Sequence, residues 1–225
     1  MGVIVNAVVV LICGIIGIGL KAGIPERFNE RIMHGIGLCV IVLGIVGVIT
    51  VENTIVMIIS VLLGAITGEA LRLEERLKIG VQRIEEKVQH NKHFSNLGEG
   101  FIAATMIFCV GSMAIVGSLE SGLLGNHSTL YAKSILDGIV SVLLGSSLGA
   151  GVILSSIPVL VYQGSIMLLA NTMAPYLGEA VINEVVVVGS LLLIGLGLNM
   201  LDITELKIMN YVPAMFFPII IMQFF

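Results

Sequence analysis

The sequence predicts an all-α polytopic transmembrane helix bundle of about eight spans, with internal hairpin repeats and one cytoplasmic amphipathic helix. Composition is the first observation behind this. The chain has 225 residues, of which 57% are hydrophobic and 12% charged, and its mean hydropathy is +1.09. A soluble domain is about 45–50% apolar and about 25% charged, so this chain has too few polar side chains to cover a globule in water. The second observation is segmental: apolar runs of membrane-crossing length recur from end to end, each near the ~20 residues a span needs. The third is the placement of charge. Ten of the eleven Lys and Arg residues fall on one side of an eight-span layout, as the positive-inside rule requires of a cytoplasmic face. No alternating barrel pattern is present, and a lipid-exposed backbone must hydrogen-bond within its own segment, so the spans are helical.

The expected spans are Ile4–Leu20, Ile32–Ile49, Ile55–Leu71, Phe101–Leu119, Ser134–Ile153, Ile157–Met173, Val185–Leu201 and Tyr211–Phe225. The first has neither a basic flank nor a small-x-small cleavage site and reads as a retained span rather than a signal peptide. The fifth and sixth are joined only by Leu154-Ser-Ser-Ile-Pro158, where Pro158 suits the first turn of a new helix; a single broken or re-entrant segment is the alternative there. The last is short and carries Pro213 and Pro218. The domain reading follows: spans 1–3 over residues 1–71, a cytoplasmic amphipathic helix over 72–98, and spans 4–8 over 99–225. Lys21, Arg27, Arg31, Arg72, Arg76, Lys78, Arg83, Lys87, Lys92 and Lys207 lie on the cytoplasmic side, Lys133 opposite, and both termini outside. Glu52, Glu120, Glu179 and Glu184 fall outside as well.

After the third span, Leu73, Leu77, Val81, Ile84 and Val88 recur at helical spacing, and Glu74 precedes Lys78 by four residues. This stretch is expected to lie on the membrane surface or to pair with a second protomer. Glu86, His90 and His93 fall near one face of it; a solvated helix end is the simpler reading than a metal site. The three cysteines, Cys13, Cys39 and Cys109, all sit within expected spans and read as small buried hydrophobes. No cofactor is expected.

Two nine-residue stretches repeat. Ser60-Val-Leu-Leu-Gly-Ala-Ile-Thr-Gly68 and Ser141-Val-Leu-Leu-Gly-Ser-Ser-Leu-Gly149 are identical at six of nine positions. Upstream of them, Cys39–Ile49 matches Cys109–Leu119 at five of eleven, so spans two and three resemble spans four and five as hairpins. Ser60, Gly64 and Gly68, and likewise Ser141, Gly145 and Gly149, line one face of a helix at steps of four, which lets a neighbouring backbone approach closely. Tight packing within or between protomers is one reading of these ladders; a face on a solute path is the other.

Polar groups within the spans are the candidates for function. Asp137, with Lys133 one turn before it, is the foremost. Its alternative is local, because Ser134-Ile-Leu-Asp137 also reads as a capping box at a helix start. Tyr162 and Gln163 lie within the sixth span, and Gln163 must bond across helices or to a solute. Ser146 and Ser147 add polarity beside the second ladder. The depths expected from span boundaries bring Gln163 level with the serines, with Asp137 at the outer end of a path. Asn6, Asn171 and Asn199 are expected near interfaces. The Gly14-x-x-Gly17-x-Gly19 run lacks the strand–turn–helix context of a nucleotide fingerprint.

The stretches Glu99–Leu123, Leu130–Gly149 and Ser155–Ala170, together with the N-terminal Met1–Phe28, resemble the bacterial YqgA/YdfK-type family of uncharacterised inner-membrane proteins over nearly the whole chain. The chain departs from that family's pattern at Ser112, where the pattern has a proline. The resemblance implies a location in the bacterial cytoplasmic membrane and supplies no substrate. Two functional classes stay open. One is a transporter or channel for a small solute or ion, which the polar groups and repeats favour. The other is a non-transporting scaffold or sensor, with an intramembrane enzyme least favoured because no nucleophile–base pair or ligand cluster stands at membrane depth. The expected partners are the lipid bilayer, a small solute or ion, and further copies of the chain; nucleic acid is excluded for want of a basic surface.

Overall fold

The computed structural model describes residues 1–21, 26–76, 79–80, 97–110 and 112–224, and their regular structure is entirely helical. The elements are α1 (Gly2–Lys21), α2 (Glu26–Val48), α3 (Thr54–Leu71), α4 (Leu97–Cys109), α5 (Ser112–Leu123), α6 (Ser128–Leu148), α7 (Gly151–Leu154), α8 (Ser156–Leu168), α9 (Ala170–Met173), α10 (Glu179–Met200), α11 (Ile208–Tyr211), a 3-10 turn (Val212–Phe216) and α12 (Phe217–Ile221). Among the described residues, six helices are long and apolar enough to cross a membrane: Gly2–Leu20, Glu30–Val48, Thr54–Leu71, Ser128–Leu148, Gly151–Leu168 and Glu179–Met200. The pair α4–α5, bent by 60°, passes the same test of length and composition when taken together, and the C-terminal apolar stretch Ile208–Ile221 is shorter. Of the expected amphipathic stretch, residues 73–76, 79–80 and 97–98 are described and helical. Most of the remainder, with Glu86, His90 and His93, lies outside the described residues.

Several helices start before the apolar run expected to mark the span, and two of these starts bear on polar residues. α6 begins at Ser128 rather than Ser134, after a turn in which the Asn126 side chain accepts from the Ser128 backbone N–H at 3.1 Å. Ser134 is therefore an interior residue. Its hydroxyl donates to the Leu130 carbonyl at 2.7 Å, and the capping-box reading of Ser134–Asp137 is overturned. α10 begins at Glu179 rather than Val185, which places Glu184 inside the helix.

The helices form two compact units that interleave along the chain. The first comprises Met1–Met33, Leu77–Cys109 and Met113–Asn171; the second comprises His34–Arg76, Val110–Ser112 and Thr172–Phe225.

In the first unit α1 and α6 run parallel, packed along their lengths. Gly2 meets Leu130 at one end, and Gly14 and Gly17 meet Gly145 at the other. A Cβ on Gly145 would lie 2.7 Å from the Gly14 carbonyl oxygen, so only glycine fits the crossing. α7 and α8 together run antiparallel to α1, with Ile153 of α7 near Gly14 and Gly164 of α8 near Val3. The bent pair α4–α5 runs antiparallel to α6. Gly100 packs on Leu148 near the end of α6, whereas Gly117 packs on Leu130 and Glu120 accepts from the Thr129 hydroxyl at its start.

In the second unit α2 runs antiparallel to α10, with Gly37 against Met200 and Gly44 against Ser190 and Ile194. The Ser60-Gly64-Gly68 face of α3 is buried against the C-terminal segment, where a Cβ on Gly68 would run into the Asn210 carbonyl. Asn53 caps α3, its side chain accepting from the N–H groups of Ile55 and Val56. The outward faces of α1 and α2, including Ile4, Val8, Ile12, Leu43 and Val46, are apolar and exposed, as a lipid-facing surface requires.

Candidate functional site

Asp137 stands midway along α6, four residues after Lys133, so the two side chains share a helix face. Lys133 Nζ donates to Asp137 Oδ1 at 3.0 Å. The other carboxylate oxygen, Oδ2, accepts from Asn6 Nδ2 on α1 at 3.0 Å, and the same amide donates to Gln163 Oε1 on α8 at 3.2 Å. Three helices of the first unit thus contribute to one hydrogen-bonded chain of side chains. It is deeply buried: Lys133 and Asp137 are 6% exposed, Asn6 and Gln163 0%. Apolar surroundings strengthen each bond within such a chain and make each unpaired polar atom expensive. Two atoms are unpaired here: among the described residues, Asn6 Oδ1 and Gln163 Nε2 are buried without a hydrogen-bond partner. Ser141, one turn beyond Asp137 on the same face, likewise has a buried, unpartnered hydroxyl.

Asp137, Lys133 and Gln163 are therefore brought together. Asn6, expected near an interface, joins them because α1 runs parallel to α6. Tyr162 is half-buried next to Gln163 in the chain. Ser146 and Ser147 are buried near the end of α6, nine and ten residues past Asp137, roughly 13–15 Å along the axis; Ser146 donates to the Leu143 carbonyl at 2.8 Å. Gln163 lies level with Asp137 rather than with the serines. Its helical span starts at Gly151, not Ile157, which moves Gln163 to about 18 Å from that end. The depth expected from the apolar run was too small for this reason.

The second unit carries two polar groupings that the apolar pattern did not reveal. Glu184, 1% exposed, accepts through Oε1 from the backbone N–H groups of Glu52 and Asn53 at 3.1 and 2.8 Å, fastening the α2–α3 turn to α10. Asn210 accepts from the Glu74 N–H at 2.8 Å and donates to Glu69 Oε2 at 2.7 Å. Beside it is an open cleft of about 850 Å³ whose lining includes Ile66, Glu69, Arg72, Glu205, Lys207 and Tyr211. A pair between half-buried His34 and exposed Asp202, 3.7 Å apart, belongs to the same unit.

A bundle of apolar helices with a buried charged and amide chain in its interior defines a multi-pass membrane protein. Residues 1–223 match the family described as "Protein of unknown function (DUF554)", and the chain belongs to it. It is similar to the uncharacterized membrane protein YdfK of Bacillus subtilis (strain 168), with 32% identity over 221 residues covering 96% of this chain and 93% of the relative. It is also similar to the uncharacterized protein YqgA of Escherichia coli (strain K12), with 30% identity over 219 residues and the same two coverages. No solved structure matches.

Proposed function

We propose that the protein moves a small polar solute or ion across the bacterial cytoplasmic membrane, with Lys133, Asp137, Asn6 and Gln163 as the polar site. The observation that carries this is the burial of an ion pair and two amides among α1, α6 and α8. Charge inside a membrane bundle costs free energy and is retained where it lines a pathway or relay. Lys133 leads toward the outer side, and Ser141, Ser146 and Ser147 continue the polar face of α6 inward. Tyr162 flanks Gln163 in the sequence. The proposal includes eight crossings with both termini outside, assembly of several copies, and no chemical conversion of the solute.

The second reading is a non-transporting scaffold in which the buried chain only specifies packing, a role that buried polar groups fill in some proteins. A double variant separates the two. Lys133→Met with Asp137→Leu replaces the ion pair by apolar side chains of similar size, which is compatible with folding. Purified protein is reconstituted into liposomes and flux is measured for a panel of small neutral solutes and of inorganic cations and anions. At least one flux above that of protein-free liposomes, abolished in the folded double variant, is expected. Wild-type flux at the protein-free level across the panel, or flux unchanged in the variant, overturns the proposal.

A further inference from the structure

Resting on that reading, we infer that the site is built for a neutral, hydrogen-bonding solute rather than an ion, held between Asn6 Oδ1 and Gln163 Nε2. The argument begins at Asp137. An ionised carboxylate only accepts hydrogen bonds, so the Asn6 amide must turn its Nδ2 toward Asp137 Oδ2, the 3.0 Å contact. That same nitrogen carries the second proton toward Gln163 at 3.2 Å, so the glutamine must present Oε1. The orientation of both amides, ordinarily ambiguous between O and N, is thus dictated by one carboxylate. What remains is equally determined: one acceptor, Asn6 Oδ1, and one donor group, Gln163 Nε2, both on fully buried side chains and both without a partner among the described residues.

A ligand that satisfies both must donate to one and accept from the other. A hydroxyl, a primary amide or a urea does this. A bare cation cannot accept from Nε2, and a halide cannot donate to Oδ1. Charge points the same way. Lys133 and Asp137 already neutralise one another at 3.0 Å, so a cation would meet an occupied carboxylate and an anion an occupied ammonium. Among the described residues, the Cys109 thiol on α4 also interacts with the pair, and it adds no fixed charge in its neutral form. The hydroxyl of Ser141 can both donate and accept, and it extends the same preference one turn along α6.

The test is solute selectivity in proteoliposomes. Glycerol and urea are followed by light scattering, as re-swelling after osmotic shrinkage; sodium, potassium and chloride are followed by entrapped indicator dyes. Wild-type protein should speed re-swelling in glycerol or urea while the ions stay at the protein-free rate. Gln163→Glu is nearly isosteric and keeps the oxygen that accepts from Asn6 but replaces the donor by an acceptor. It should slow the neutral flux by about tenfold, the factor attached to one unpaired buried hydrogen-bonding group, while helix content by circular dichroism is retained. Ion flux with neutral solutes at the protein-free rate overturns the inference and leaves transport standing. Movement of water alone, shrinkage accelerated without re-swelling, also overturns it. No flux of any probe overturns both readings. The wild-type selectivity decides the matter even where the variant fails to fold, and an unchanged neutral flux in folded Gln163→Glu counts against the site.

Discussion

Removing the carboxylate of Asp137 alone would leave Lys133, 6% exposed, as an ammonium without its partner. Breaking a buried pair on one side costs about 3–5 kcal/mol, whereas replacing both members by apolar groups is often neutral. Asp137→Ala should therefore lower the thermal midpoint in detergent sharply, and the Lys133→Met/Asp137→Leu double variant should recover most of the loss. The chain has no tryptophan, so unfolding is best followed by circular dichroism; a single variant as stable as the double would show that the pair is solvated and not buried. The sequence marks Asp137 and Gln163 because an ionisable or amide group inside an apolar run is conspicuous by its cost. It does not mark Asn6 in the same way, because an amide six residues from the start looks like an interfacial residue. Only the parallel packing of α1 on α6, with Gly2 against Leu130, sets it level with Asp137. Glu184 was hidden for a related reason: it precedes the apolar run, yet α10 begins five residues before it. Apolar runs report what faces lipid, and α6 and α10 extend beyond them where protein covers their polar residues.

At the scale of elements, the two Ser-x-x-x-Gly-x-x-x-Gly ladders were legible as close-packing faces, while their partners were not. The ladder on α3 lies against the C-terminal segment, with Gly64 on Ala214 and Gly68 on Asn210. The ladder on α6 lies in the other unit, with Gly145 on Gly14 and Gly17 of α1. One short text thus serves two different helix pairs, because backbone proximity asks only for small residues at steps of four. The same glycines give a prediction with an internal control. A methyl group at Gly145 or Gly68 meets backbone carbonyl atoms that cannot rotate away, whereas at Gly19 nothing lies within 4 Å. Gly145→Ala and Gly68→Ala should each destabilise by about 1–3 kcal/mol, the range for overpacking. Gly19→Ala, on an exposed face of α1, should be neutral or gain up to about 1 kcal/mol from helix propensity. The comparison is read from melting temperatures and the monodisperse fraction after solubilisation. Equal behaviour of all three would mean that the helix crossings are looser than the contacts imply.

For the whole molecule, the packing directions within each unit bear on how often the chain crosses the membrane. α1 and α6 run parallel, so an odd number of crossings must separate them; α2 and α3 supply two. On the eight-crossing layout we propose, the bent pair α4–α5 is the third, and its two ends lie at opposite ends of α6. α8 returns antiparallel to α1, and α10 runs antiparallel to α2. The final segment, Ile208–Ile221, lies antiparallel to α3, with Asn210 near Gly68 and Ala214 near Gly64. Its fourteen residues reach only about 21 Å as α-helix, against a hydrocarbon core of about 30 Å, so the last crossing is where the count is most exposed to test. Charge supplies the sidedness. Lys207 approaches Glu69 at 4.0 Å, which puts the connection after α10 at the same end as the basic connection after α3, the end we propose as cytoplasmic on the positive-inside rule. A reporter active only in the cytoplasm should therefore work when fused after Asn91 and fail at the C-terminus, and a reporter active only outside should behave in reverse. Cytoplasmic activity at both sites would make the C-terminal segment re-entrant and reduce the count to seven. Outside activity at both would invert the connection after α3 and overturn the charge argument itself.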